Sequence, residues 1–169
     1  MTLPKGERYK PRKMAHTGEV TDSPSPVMTF DVGGSWLAVR VEQVDRVAVA
    51  PRLWPVPLAR PEHVGLFDSG QELLPVLRLR TTPETPTPTA GEQLVALLHV
   101  RGESVGLAID RAGRVHDHWW LDESSTPPPG DLAAAGAAAA ISSSFRFWLV
   151  NADRLFTYDG GVTGPALRA

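Results

Sequence analysis

The stretch that most constrains the fold is a glycine-bounded turn that runs straight into a short apolar segment. The turn reads VGLFDSG (residues 64–70) and the segment that follows it reads LLPVLRL (residues 73–79). A second block of the same kind, VGLAIDR, occupies residues 105–111. Short apolar runs bounded by glycine are typical of β-strands, and neither block carries the residues of a catalytic centre. The pattern therefore favours a β-rich binding module.

Other parts of the chain also predict short strands. Met28, Phe30 and Val32 alternate with smaller or polar residues, and Gly33-Gly34 supplies a hairpin turn. Further strands are predicted around residues 47–49, over 73–79, 94–100, 105–109 and 114–121, and around residue 147. Asp131 is a plausible N-cap for a brief helix over residues 132–140. About nine or ten strands with one or two short helices indicate an all-β sandwich or a pair of barrels.

The domain organisation follows from shifts in composition. Residues 1–26 are basic at first and then rich in proline and serine, which predicts a disordered tail. Residues 27–158 carry the strands and form one domain of two β subdomains, and residues 159–169 form a frayed C-terminus. The absence of cysteine excludes disulfides and thiolate chemistry. Without a signal peptide or an apolar run of membrane-spanning length, the expected location is cytoplasmic, with no membrane insertion.

Catalytic and metal-binding motifs are weak or missing. A G-x-S-x-G sequence occurs at residues 102–106, but it lies between two predicted strands rather than at the strand-to-helix turn of a nucleophile elbow, and Gly33-Gly34 lacks the lysine of a phosphate loop. His116 and His118 would share one strand face, but we interpret them as an exposed polar strand end rather than metal ligands. Of Trp119 and Trp120, we expect one to pack inward and the other to be exposed. We expect no enzyme activity, no cofactor and no metal.

The alternative to a protein-binding adaptor is a small β-barrel that binds single-stranded nucleic acid. Such barrels need a basic groove interleaved with exposed aromatic side chains. The net charge is −2, and all three lysines lie in the first thirteen residues, so the ordered part is net acidic. We therefore expect no nucleic-acid partner.

The order of the motifs resembles the CheW-like family, the adaptor domain of bacterial chemosensory arrays. The resembling segments are VDRV (44–47), VG (64–65) after a proline-rich link, LPVLRL (74–79), GLAIDR (106–111) and WLVNADRLF (148–156). The resemblance implies two five-stranded, SH3-like barrels packed together. It also implies a non-catalytic scaffold whose partners are a CheA-type histidine kinase and the cytoplasmic tip of a chemoreceptor.

The resemblance also implies where partners would bind. Family members usually carry glutamate where Arg46 stands, arginine where Ser69 stands and aspartate where Arg78 stands, so this chain resembles a divergent member. The expected partner contacts are Arg46, Leu66, Phe67, Asp68 and Ser69, and the glycines expected to shape turns are Gly65, Gly70 and Gly106. We further expect Arg46 and Asp68 to form the family's ion pair with its signs exchanged.

Overall fold

The computed structural model of the protein describes residues 24–82 and 91–157. These residues form strands β1 (Val27–Val32), β2 (Ser35–Arg40), β3 (Val44–Ala50), β4 (His63–Asp68), β5 (Leu73–Leu77), β6 (Gln93–Val100), β7 (Glu103–Ile109), β8 (Arg111–His116), β9 (Trp120–Leu121), β10 (Ala138–Ser142) and β11 (Phe145–Leu149). The helices are a 3-10 turn (Val41–Gln43), α1 (Asp131–Ala134) and α2 (Ala152–Thr157). Most of the expected tail and the expected frayed C-terminus lie outside the described residues.

The strands form two sheets that correspond to the two predicted barrels. The first sheet has the order β8-β1-β2-β11-β10-β9, and the second has the order β3-β6-β7-β5-β4. The prediction of an all-β fold with two SH3-like barrels and two short helices is confirmed. The first sheet has six strands rather than five because two-residue β9 adds to its edge.

The protein has three apolar clusters, of which one joins the two barrels. The largest lies between the sheets and includes Phe30 and Leu37 from the first barrel and Leu98 and Leu107 from the second. Each barrel also has its own smaller interior cluster. Alternate side chains of a strand point to opposite faces, so β6 contributes both to the shared cluster and to the interior of the second barrel. Burial on both faces explains why β6 reads as a nearly continuous apolar run.

Two predicted elements differ from the structure. The predicted strand over residues 114–121 is wrong in its bounds, because β8 starts earlier at Arg111 and the chain leaves the sheet after His116 before pairing again as β9. The predicted helix over residues 132–140 is too long, because α1 ends at Ala134. Gly136, at φ +62°, ends the helical turn, and residues 138–142 pair with β11 instead. Asp131 is the first residue of α1, which follows the N-cap Gly130.

Neither helix of the described residues has the length or the apolar character needed to cross a bilayer.

Candidate functional site

The turn between β4 and β5 is the centre of the predicted partner surface, and its own side chains hold its shape. The Asp68 carboxylate accepts a hydrogen bond of 2.8 Å from the Gly70 N–H. The Ser69 hydroxyl donates to the Glu72 carbonyl at 3.1 Å and accepts from the Glu72 N–H at 3.2 Å. Gly70 has φ +85°, a conformation that glycine adopts without strain. The turn is therefore fixed before any partner arrives.

Alternation along β4 divides its residues between the surface and the core. Asp68 is exposed and Leu66 is half-buried, whereas Phe67 is only 7% exposed and packs inside the second barrel. Phe67 therefore supports the turn from within, and only its small exposed part, on a cavity that it lines with Trp54 and Asp68, is open to a partner. Leu66, Asp68 and Ser69 retain accessible surface.

Two of the three glycines expected in turns lie inside strands, so that part of the prediction is wrong. Gly65 belongs to β4, and a Cβ atom there would lie 2.8 Å from the carbonyl oxygen of Trp54. Gly106 belongs to β7, and its Cβ atom would lie 2.7 Å from Cγ1 of Val95. Both glycines are needed for close packing, whereas Gly70 does lie in the β4–β5 turn.

The predicted ion pair between Arg46 and Asp68 is not formed. Arg46 is exposed, and its Nη1 atom lies 3.7 Å from Oδ2 of Asp45. Arg46 and Ser69 line the same cavity of about 300 Å³, with Glu72 beside them. Asp68 lines a different cavity. Among the described residues, Arg46 and Asp68 therefore face different cavities and do not pair with each other.

Trp54 is a surface residue that the sequence analysis missed. Its backbone N–H donates to the Leu66 carbonyl and its carbonyl accepts from the Leu66 N–H, each at 2.8 Å. The ring is 49% exposed, and the Arg52 guanidinium lies 4.2 Å from its centroid. Trp54 and Asp68 line one cavity of about 330 Å³. Exposed tryptophans are frequent anchors of interfaces. The position of Trp54 in a proline-rich connector could have identified it in the sequence as an exposed residue.

A contact between His99 and Ser104 is the nearest approach to a catalytic pair. The Nδ1 atom of His99 lies 3.2 Å from the Ser104 Oγ atom, and the two residues are direct cross-strand neighbours on β6 and β7. Both side chains are at least partly exposed, and in residues 24–82 and 91–157 no carboxylate hydrogen-bonds to His99. The contact fits an ordinary cross-strand pair.

The histidines and tryptophans at the end of β8 are not arranged as a metal site. His116 is buried rather than exposed, which corrects the sequence interpretation, and its ring stacks on Phe145 at 5.3 Å. No group of three or more His, Asp or Glu side chains in the described ranges is placed to hold a metal ion. Trp119 packs inward and donates to the Ser25 carbonyl, while Trp120 is exposed, as expected for the pair.

Comparisons with known proteins agree with this geometry. A family model described as the CheW-like domain matches residues 26–156. The fold is similar to the crystal structure of the scaffolding protein TtCheW from Thermoanaerobacter tengcongensis, with a TM-score of 0.61 and 16% identity. That match covers 76% of this chain and 89% of the other, and at this identity it shows the fold alone. No curated protein sequence matches the chain.

Proposed function

The chain belongs to the CheW-like domain family, a family of non-catalytic scaffolds, and we propose that it couples a chemoreceptor-type sensor to a CheA-type histidine kinase. The observation that carries the proposal is the family match over residues 26–156. In this proposal the protein works in the cytoplasm and joins the two partners without making or breaking covalent bonds.

The proposed contact surface is the outer face of the second barrel around the β4–β5 turn. It comprises Arg46, Trp54, Leu66, Asp68 and Ser69. The hydrogen bonds within the turn and the pair of backbone hydrogen bonds between Trp54 and Leu66 keep this surface in one conformation. A surface that is already ordered loses little conformational entropy on binding, and the Trp54 ring supplies the apolar anchor.

The charges of this surface suggest a partner that differs from the usual family partner. Arg46 replaces the usual glutamate and Ser69 the usual arginine, and both residues line one cavity. A partner adapted to the usual pair would place a positive group near Arg46, and like charges in contact reduce affinity. We therefore propose that this chain serves a divergent chemosensory or motility pathway, with a partner that is negatively charged opposite Arg46.

The test is capture of the CheA-type kinase regulatory domain and the chemoreceptor cytoplasmic tip from the same genome by immobilised chain. Asp68→Arg and Trp54→Ala should each weaken capture of one of the two partners by about tenfold or more. Trp120→Ala is the matched control because Trp120 has nearly the same exposure, 53% against 49%, but lies on the first barrel.

Each result of the capture experiment bears on the proposal. Capture of both partners by the unaltered chain, with loss only in the second-barrel variants, supports both the function and the site. If neither partner binds, the proposed function is wrong. If Trp120→Ala weakens binding and Trp54→Ala does not, the contact surface lies on the first barrel and the proposed site is wrong.

A further inference from the structure

The first barrel has an open groove beside the outer edge of β8. Among the described strands β8 pairs only with β1. Residues 142–145, at the β10–β11 turn and the strand ends beside it, line a groove of about 930 Å³ together with β8. An unpaired strand edge exposes backbone N–H and carbonyl groups that readily pair with another extended chain. The groove therefore has the form of a site for strand addition by a peptide.

The floor of the groove is aromatic. Trp36 and Phe145 are half-buried and their ring centroids are 5.3 Å apart, and the His116 ring stacks on Phe145. The Nε2 atom of His116 is buried and has no hydrogen-bond partner in the residues described. The Arg111 guanidinium lies 5.0 Å from the Trp36 ring centroid, and apolar side chains of a bound peptide would cover the parts of Trp36 and Phe145 that remain exposed and exclude water from them.

The charge beside the strand edge favours an acidic ligand. Arg111 is already neutralised, because its Nη2 atom lies 2.9 Å from Oδ2 of Asp31. Arg114 is exposed and forms no ion pair with any carboxylate of the described residues. Asp117 is the one carboxylate that lines the groove, and it lies beyond the end of β8. Along the strand itself, the uncompensated charge is therefore positive.

A β-bulge interrupts the pairing of β8 with β1 at Thr29. The Thr29 hydroxyl donates to the Arg114 carbonyl and accepts from the Arg114 N–H, both at 3.1 Å. These bonds satisfy the backbone of Arg114 and hold this residue in place. Because Thr29 belongs to β1, these bonds lie on the paired side of β8 and leave its outer edge unused, with the Arg114 side chain beside that edge.

From these features we infer that β8 binds an extended peptide of a partner protein in which acidic residues alternate with apolar ones. The peptide backbone pairs with the edge of β8, its apolar side chains cover Trp36 and Phe145, and an acidic side chain faces Arg114. A second copy of the chain fits less well, because two β8 strands would bring both copies of Arg114 to one seam. This site is separate from the surface on the second barrel and does not depend on the proposed function.

The test uses a fluorescein-labelled six-residue peptide in which glutamate alternates with valine, and the same peptide with lysine in place of glutamate. Fluorescence anisotropy with the full chain should give saturable binding of the glutamate peptide and at least tenfold weaker binding of the lysine peptide. Arg114→Glu should weaken the glutamate peptide by about tenfold and reverse the preference. Arg40→Glu, the same charge change on β2 outside the groove, should leave both affinities unchanged.

A peptide with alternate backbone amides N-methylated separates strand addition from simple charge attraction. Strand addition requires those donors, so methylation should abolish binding even though the charges remain. Binding that survives methylation, or that does not depend on Arg114, would overturn the inference, as would the absence of saturable binding at millimolar peptide. Self-association of the chain that is lost in Arg114→Glu would also overturn it, because β8 would then pair with a second copy.

Discussion

Arg78 and Asp110 form an ion pair at the junction of the two barrels. The Nη2 atom of Arg78 lies 3.0 Å from Oδ1 and 3.1 Å from Oδ2 of Asp110, and Oδ2 also accepts a hydrogen bond from the Gly33 N–H in the β1–β2 turn. The Arg78 side chain is 5% exposed, and its Nε and Nη1 atoms have no partner in the described part of the chain. Asp110 is thus the principal compensation for a buried positive charge.

Removing the carboxylate charge should destabilise the protein by leaving that guanidinium buried and unpaired. Asp110→Asn should lower the free energy of unfolding by about 2 kcal/mol, below the range for fully buried pairs because Asp110 is half-exposed. Arg78→Met should have a small effect, since an apolar side chain suits the buried position. In the Arg78→Met background, Asp110→Asn should cost under about 0.5 kcal/mol. Urea unfolding of the four proteins measures the coupling, and equal costs in both backgrounds would contradict it.

Gly106 has no room for a side chain between two valines of the second barrel. A Cβ atom would lie 2.7 Å from Cγ1 of Val95 and 3.0 Å from Cγ2 of Val76. Gly106→Ala should therefore lower the free energy of unfolding by about 1–3 kcal/mol through overpacking. Val95→Ala removes the closer atom, so the double variant should lose less than the sum of the two single changes. An additive result in denaturant unfolding would show that the barrel relaxes freely around the new methyl group.

His116 should make stability depend on pH. Burial lowers the pKa of His116 below its usual value, the nearby Arg114 lowers it further, and Asp117 opposes both. Because the unfolded chain then binds a proton more readily than the folded chain, the free energy of unfolding should fall as pH decreases through the ordinary histidine pKa of about 6.5. The contribution of His116 to the free energy of unfolding should be completely lost once the pH is below the pKa of His116 in the folded chain.

The His116 prediction is checked by measuring unfolding between about pH 7.5 and pH 5, above the range where carboxylates titrate. His116→Phe keeps an aromatic ring on Phe145 and should remove part of the pH dependence. His118→Gln changes an exposed histidine in the same segment and serves as the control. Identical pH profiles for His116→Phe and the unaltered chain would refute the assignment.

Restoring the usual family residues should change partner choice. Arg46 and Ser69 line one cavity, so glutamate and arginine at these two positions would be close enough to interact. The double variant Arg46→Glu with Ser69→Arg should bind a kinase or receptor fragment from a conventional chemotaxis system more tightly than either single variant predicts. We expect the coupling to be about 0.2–1 kcal/mol, as for exposed pairs. Titration calorimetry of all four proteins measures it, and zero coupling would show that the two positions act independently.

The strands and helices that could be predicted from the sequence are those determined by neighbouring residues. The hairpin at Gly33-Gly34 and the apolar run of β6 were predicted because turn residues and burial act over a few neighbouring positions. The helix over residues 132–140 was predicted too long because alanine is compatible with both states, and pairing with β11 decided the outcome for residues 138–140.

In the candidate site, too, features set by neighbouring residues were predictable and contacts between distant residues were not. Alternation within β4 places Phe67 inside when Leu66 and Asp68 are outside, so its burial was predictable from a strict period of two. The pair between Arg78 and Asp110 joins residues 32 positions apart on different strands. The predicted ion pair between Arg46 and Asp68 was wrong because the Asp68 carboxylate accepts a hydrogen bond from the Gly70 N–H within its own turn.

The order of the strands has a consequence for how the chain assembles during synthesis. All five strands of the second barrel lie between residues 44 and 109, whereas the first barrel needs β1 and β2 as well as β8 to β11, with β11 placed directly against β2. A nascent chain can therefore complete the second barrel while the first still waits for its last strands to leave the ribosome. During that delay the β1–β2 hairpin must avoid aggregation, and its apolar face can be covered only by the completed second barrel.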